Sequence, residues 1–465
     1  MGTPSLFALN PTALLSAVGL WRGPDPTVPT PVERWQDATV DVVIHADRHQ
    51  HSIAYCLAAL ARQTLRPRQV MLVDDGGSDR DHTVQIAREF AHANGMSLAV
   101  VGRMWSIGRA PTLKRQAREL DGDVLFALDG DTVLESPDYI ERCVRELYQG
   151  VGIASATGAA WPMRASDRRA WAAMPEFRRW VGGDPYLDPL LPEDPLHRLL
   201  WWAGNAYRET VAGFQQQFLN RGLMALVGGV AHRSGSAVAY RRRYLKDVFD
   251  RYEPVYGDDL TGLPDLFIGF ALNNVGYRNL QLAEVQVRTI GGDVMQLPAH
   301  ARRETLAFLQ AGHDFDSLLR SPLRWPRRWW GQWRQRATVE QPGGRELRRV
   351  AEAYRQPFGE RLTRQHGRPI GWALFFGAVE KVVFPIGLMA LAVLGQWAWL
   401  AAVVAAEMAV AFGVLLAVTP RGRRGAMLGK AVLFTPLRYA LMLQELGIVL
   451  GFALKRSLRT RRLRR

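Results

Sequence analysis

The chain has 465 residues, room for two or three domains, with 48% apolar and 22% charged residues. That ordinary globular balance excludes wholesale disorder and collagen-like repeats. Lys and Arg number 59 against 44 Asp and Glu, a net charge of +15, which favours an anionic partner such as phosphates, nucleic acid or an acidic lipid surface. Two cysteines, Cys56 and Cys143, are too few for a disulfide framework or a zinc cluster and point to a reducing compartment.

The first apolar stretch, LFALNPTALLSAVGLW (6–21), has no charged start and does not read as a secretory signal. GPDPTVPTP (23–31) reads as a linker or surface wrap, so residues 1–37 are expected to precede the first domain. From Val40 to about Tyr148, strand and helix signals alternate. VDVVIHA (40–46) is a β-branched run suited to a buried parallel strand, and SIAYCLAALARQ follows at helical spacing. RQVMLVDDGG (68–77), the helical HTVQIAREFAHANG, SLAVVGR, TLKRQAREL and DVLFALDGDTVL continue the alternation. This order predicts an α/β fold with a mostly parallel central sheet, helices on both faces, and a ligand cleft at the carboxyl ends of the strands.

Two acidic clusters fall at such ends, Asp74-Asp75 after the second strand and Asp129-Gly130-Asp131 after the fourth. Burying unpartnered carboxylates costs several kcal/mol each, roughly, so an open cleft is expected there. Two carboxylates one residue apart suit a hard divalent cation, and Mg²⁺ typically takes one or two carboxylates plus substrate phosphates. The alternative is that these aspartates only cap the helices that follow.

VDVVIHA, VDDGGSD (73–79) and, about fifty residues later, FALDGDTVL (126–134) together resemble the GT-A fold of family 2 glycosyltransferases, the membrane-bound group with cellulose, chitin and hyaluronan synthases. The resemblance covers about residues 38–290. It implies a nucleotide-sugar donor, with Asp74 or Asp75 against the nucleoside, Ala46 beside them, and Asp129 and Asp131 holding Mg²⁺ or Mn²⁺ on the diphosphate. Lys114, in GRAPTLKRQA (108–117), lies where the family has a basic helix beside the donor. The first strand departs from the family pattern, ending in His45-Ala46-Asp47 where Pro-Ala-Tyr is commoner.

Residues 150–230 mix Trp, Arg and Pro without a clean period and read either as an irregular subdomain over the sheet or as an acceptor-binding face. GGVAHRSGSAVAYRRRYL (228–245) then returns to a small-residue strand before a helix. An inverting transferase needs a base for the acceptor hydroxyl. Asp258 and Asp259 in YGDDLTG match the hyaluronan-synthase GDD by letters, whereas Asp265 precedes Gly276 of GYR by eleven residues, the family's usual spacing. Asp265 is the preferred base, opening a helix whose N-terminus stabilises a carboxylate. The processive members' Q-x-x-R-W is incomplete here: Arg302 and Arg303 lie near the expected register, and Arg324-Trp325 supplies only the last two letters. These four are candidates for acceptor or diphosphate contact, within a Trp/Arg-rich interfacial or gating region over 291–368.

Residues 369–420 are too long for one span. About fifty helical residues reach roughly 75 Å, against a hydrocarbon core of about 30 Å. A two-pass hairpin turning at Gly395-Gln396-Trp397 is expected, with Trp397 and Trp399 at an aromatic belt and Arg421, Arg423 and Arg424 on the cytoplasmic side. The catalytic part then faces the cytoplasm at the inner or plasma membrane. Ala426–Leu454 carries Lys430, Arg438 and Glu445 and ends in KRSLRTRRLRR. It reads as an amphipathic helix on the cytoplasmic leaflet or as a third membrane helix, the former preferred because spanning would export the basic tail.

The resulting expectation is a membrane-bound inverting glycosyltransferase, metal-dependent, moving a sugar from a UDP-sugar or similar donor to a growing polysaccharide or lipid-linked acceptor. Partners are the donor, the acceptor, the bilayer and export or assembly proteins, with no nucleic acid. The other readings are a polyprenyl-phosphate glycosyltransferase and a catalytically inactive nucleotide sensor. HADRHQH after the first strand is not the G-x-G-x-x-G of a dinucleotide oxidoreductase.

Overall fold

Val42 and Ile44 of the first strand enter one apolar layer and Val43 the other, so the β-branched run is covered on both faces. The computed structural model describes residues 8–23, 34–76, 81–150, 152–186, 194–230, 235–256, 264–320, 322–324, 326, 330 and 369–462. Its strands are β1 (Val40–Ala46), β2 (Gln69–Asp75), β3 (Ala99–Arg103), β4 (Val124–Asp129), β5 (Thr132–Leu134), β6 (Ile153–Pro162), β7 (Ala237–Arg241) and β8 (Arg278–Thr289). They form one sheet in the order β3-β2-β1-β4-β7-β6-β8-β5. The pairs β1–β2, β1–β4, β2–β3 and β6–β8 are parallel, while β7 is antiparallel to both its neighbours and β5 is antiparallel to β8. The sheet is therefore mostly parallel, as expected, but mixed where β7 and β5 enter.

The helices up to the membrane segment are α1 (Pro11–Arg22), α2 (Ile53–Ala61), α3 (Thr83–Ala93), α4 (Arg109–Glu119), α5 (Tyr139–Gln149), α6 (Ala165–Ala172), α7 (Pro175–Trp180), α8 (Pro195–Phe214), α9 (Arg221–Val227), α10 (Arg242–Tyr256), α11 (Pro264–Val275), α12 (Leu297–Asp314) and α13 (Asp316–Leu319). One face of the sheet packs Ile44, Phe126 and Leu128 against α2, Phe90 of α3 and α5. The other packs Val43, Leu125 and Tyr240 against α4, α10, α11 and Phe308 of α12. Each such side chain is worth roughly 1.5–3 kcal/mol when fully buried. Inside this apolar stack, the buried Asp41 of β1 accepts from Arg68 Nε and Nη2 at 2.9 and 2.7 Å and from Gly122 N at 2.8 Å. A buried charge held this way is tolerated because it is paired with a guanidinium and both of its oxygens accept hydrogen bonds.

Strands β6 and β8 lie where an irregular subdomain was expected and beyond it. IASATGAAWP hides its strand character in small residues, which let α8 approach closely. Between α8 and α9 the helix widens into a π-helical turn, Gln215–Asn220. That turn aims Gln216 at β6, where its Nε2 donates to Ala160 O at 2.6 Å.

Four further helices follow: α14 (Pro369–Val393), α15 (Trp397–Val418), α16 (Arg424–Leu433) and α17 (Thr435–Arg462). Three stretches are long and apolar enough to cross a membrane: Ile370–Val393, Trp397–Val418 and Thr435–Leu454. The turn between the first two falls at Gly395, as anticipated, and Ile370 and Leu374 anchor α14 in the sheet's second apolar layer. The expectation of a surface helix over 426–454 rested on the basic tail that spanning would export; the charges within the segment face protein. Lys381 of α14 meets Glu445 at 3.1 Å, Thr305 Oγ1 of α12 donates to Glu445 at 3.3 Å, Arg438 pairs with Glu407 of α15, and Tyr439 Oη donates to Glu407 at 2.9 Å. Paired inward, they no longer argue against a third span. The segment is also broken at Phe434 into α16 and α17, so it is not one amphipathic helix.

Helix α1 docks on the helices that follow, while the Pro-rich run expected to be a linker or surface wrap lies, from residue 24 on, outside the described residues. Ser16 Oγ donates to Leu219 O at 3.0 Å, and Gly19 crosses Gly222 of α9 so closely that a Cβ on either would overlap backbone of the other helix. Gly222→Val is therefore expected to detach α1. Hydrogen exchange across residues 11–22 should accelerate in the variant, while β1–β4 keep wild-type protection.

Candidate active site

The strand registers bring the acidic ends together. Ala46 lies beside Asp74 and His45 beside Asp129, so three predicted positions, Ala46, Asp74 and Asp129, occupy adjacent strand ends on one edge of the sheet. The two aspartates of β2 differ in their work. Asp75 accepts from Ile107 N at 3.0 Å, Gly108 N at 2.7 Å, Ser106 Oγ at 2.9 Å and Arg103 Nη1 at 3.1 Å. Burial pushes its carboxyl up, but these bonds outweigh it and hold the group below its ordinary value. Asp75 is thus spent on closing the loop between β3 and α4. Asp74 keeps a buried Oδ1 with no partner among the described residues, and burial, with Asp81 and Asp47 nearby, raises its carboxyl.

That loop delivers Arg109 at the start of α4. Its Nη1 lies 2.7 Å from Asp129 Oδ1 and 3.0 Å from Asp265 Oδ2, and Nη2 donates to Gly235 O. The guanidinium side chain is 10% exposed, so two carboxylates from different elements converge on one buried cation. Asp265 comes from the first turn of α11, the helix start expected for it. Gly235 is needed for this approach, because a Cβ there would overlap the Asp265 carboxylate. Burial pushes Asp129 up; Arg109 opposes the shift, and Asp131 and Asp265 add to it. His45, beneath the cluster, is pulled down to about 4, first by burial and then by Arg109, so its ring is neutral near pH 7.

Asp131 sits in the turn between β4 and β5, its Oδ1 accepting from Thr132 Oγ1 at 3.1 Å and its carbonyl from Ile290 N at 3.1 Å. Among the described residues no three His, Cys, Asp or Glu side chains converge as a cage. The pair still fits a divalent ion that takes part of its coordination from a diphosphate. Asp129 is a half-buried carboxyl that burial raises even against Arg109, and Asp74 and Asp265 each keep an unpartnered buried oxygen on the same edge. Lys114 is buried on α4, five residues beyond Arg109. Arg302 and Arg303 are exposed on α12, and no bond joins them to the Arg109 cluster. Asp258, Asp259, Trp325 and the Arg324 side chain lie outside the described residues. The sequence reading missed Arg109, Gly235 and His45; Gly108-Arg109 opening a helix just past β3 was the available signal.

Residues 41–187 match the family model described as glycosyl transferase family 2. An N-acetylglucosaminyltransferase of Mesorhizobium japonicum is 30% identical over 193 residues, covering 37% of this chain and 44% of that protein, so the chain spans less than half the length of this curated relative. Among solved structures, a mannosyltransferase from Pyrobaculum calidifontis in complex with GDP-Man and Mn²⁺ aligns with TM-score 0.40 and 16% identity, covering 79% of this chain and 97% of that one. Glucosyl-3-phosphoglycerate synthase from Mycobacterium tuberculosis, with Mn²⁺, UDP and glucosyl-3-phosphoglycerate, aligns with TM-score 0.33 and 15% identity, covering 62% and 87%.

The unequal aspartates of β2 yield a contrast. Asp75→Asn should cost about 1–3 kcal/mol, since a buried, multiply bonded acceptor is lost, and should speed amide exchange at Ile107 and Gly108. Asp74→Asn, with nothing bonded to Oδ1, should leave the melting temperature near wild type. Equal effects of the two substitutions would contradict this division of labour.

Proposed function

We propose, from the match of residues 41–187 to the family model described as glycosyl transferase family 2, a membrane-bound, inverting, metal-dependent transfer of a sugar from a nucleotide-diphosphate sugar. The observation that carries the reading is Arg109 bridging Asp129 and Asp265 at 2.7 and 3.0 Å. It ties a donor-side carboxylate to a second carboxylate whose Oδ1 is left unpartnered and is assigned the role of base. Asp74, with its unpartnered oxygen, is assigned to the nucleoside. Mg²⁺ or Mn²⁺ on Asp129 and Asp131 would neutralise the diphosphate as it leaves. Arg109 then offers a second positive charge to the leaving group, held in a buried, preorganised position. Asp265 accepts the proton of the acceptor hydroxyl as that oxygen attacks the anomeric carbon, and a single displacement inverts the centre.

A polysaccharide or lipid-linked acceptor is consistent with three apolar helices packed directly on the sheet domain. The proposed location is the inner or plasma membrane with the catalytic domain cytoplasmic, by the basic cluster Arg421, Arg423 and Arg424 after the second span.

Two measurements test this. Asp265→Asn keeps shape but cannot take a proton, so transfer should fall by about 10² to 10⁴ while donor binding by calorimetry persists; Asp129→Asn should instead remove the Mn²⁺ dependence of donor binding. Normal transfer in both variants would sink the assignment. Separately, single cysteines introduced at Gln396 and Gly422 should label from outside intact cells at the first position only, and outside labelling at Gly422 would overturn the topology.

A further inference from the structure

Where the sheet domain meets the membrane helices, a cavity of about 420 Å³ opens. Its walls carry Trp161 and Arg164 from the end of β6, Glu209 from α8, Arg288 from β8, Arg423 from the turn after α15, and Lys430 from α16. Four cations thus surround one carboxylate. Glu209 is shared by Lys430 Nζ at 2.6 Å and by Arg164, and Arg288 is held from outside by Glu135 at 2.8 and 3.0 Å. Arg423 has no ion-pair partner among the described residues. The two carboxylates leave this lining with excess positive charge.

Position and shape narrow what such a lining receives. Val418, the last residue of the second candidate span, and Pro420 also line the cavity, so it opens at the level where that helix would leave the bilayer. Beside it, between α8 and α15, a smaller cleft is lined by Phe214, Ala411, Phe412 and Leu415. That cleft, about 40 Å³, is too small for a lipid chain, but a cationic chamber whose rim includes Val418 at the end of a candidate span matches an amphiphile better than a free ion. Cations at a headgroup level with aromatic flanks are also what anionic lipids attract.

We infer that this cavity binds the phosphate head group of a membrane lipid, with Arg423 and Lys430 on the phosphate and the lipid chain leaving past Val418 along the outer side of α15. The site lies on the same sheet edge as the candidate active site. Strands β6 and β8 end there, and Ile290, just past β8, bonds the carbonyl of Asp131. Binding requires neither donor nor the Asp265 base, so it stands or falls apart from the proposed transfer reaction.

The test uses the purified full-length protein in detergent, titrated with dioleoyl phosphatidic acid and, in parallel, with dioleoyl phosphatidylcholine, read by native mass spectrometry. Phosphatidic acid should bind and phosphatidylcholine should not. Arg423→Gln and Lys430→Gln should each weaken binding at least about tenfold, the loss expected for a charge-assisted bond. Arg421→Gln removes the same charge from the same turn without lining the cavity, and should stay within about twofold of wild type by the weakness of exposed charge interactions. Lys430→Gln leaves Glu209 paired with Arg164, and a thermal melt of each variant separates lost binding from lost folding. Binding unchanged in well-folded Arg423→Gln and Lys430→Gln, or an equal drop in Arg421→Gln, overturns the site. Displacement of the lipid by millimolar inorganic phosphate overturns the lipid assignment in favour of a free-anion site.

Discussion

Arg109 is the constraint around which the site is arranged. A guanidinium buried among carboxylates is stable only when each partner is held at bonding distance, because taking the charges out of water costs more than a loose pair returns. Three elements meet that demand: β4 brings Asp129, α11 brings Asp265, and the loop ordered by Asp75 brings Arg109 itself. Gly235 supplies both a carbonyl and the empty space that lets α11 approach. Disturbing any one leaves charge uncompensated in the cleft, so folding and site geometry are linked here.

The same rule governs the helices long and apolar enough to cross a membrane. Glu407, Glu445, Lys381 and Arg438 would each be expensive in hydrocarbon, and each is turned inward to a partner on another helix. These pairs join α17 to both α14 and α15, and Thr305 extends the network into α12. The helical part is thereby joined to the sheet domain through polar contacts as well as through Ile370 and Leu374. The cavity containing Arg164, Arg423 and Lys430 lies at this junction, between the sheet domain and the long apolar helices.

Local signals in the sequence determined a good deal of this protein. The largely apolar runs at 40–46 and 124–129 are buried on both sides, and such strands need apolar runs that show without any partner. The hairpin turn at Gly395 was legible because bilayer thickness limits helix length. Asp265 was legible from its place at a helix start. Tertiary structure alone decided the rest. β6 and β8 become strands through the partners that cover them, since small or alternating residues carry little preference of their own. Asp74 and Asp75 are neighbours of identical chemistry, and only the fold of a loop thirty residues away gives one four bonds and leaves the other an open oxygen. Arg109, Glu445 and Arg438 read as ordinary charges until distant segments pair them. Which charges are buried together depends on long-range packing, and no local pattern encodes it.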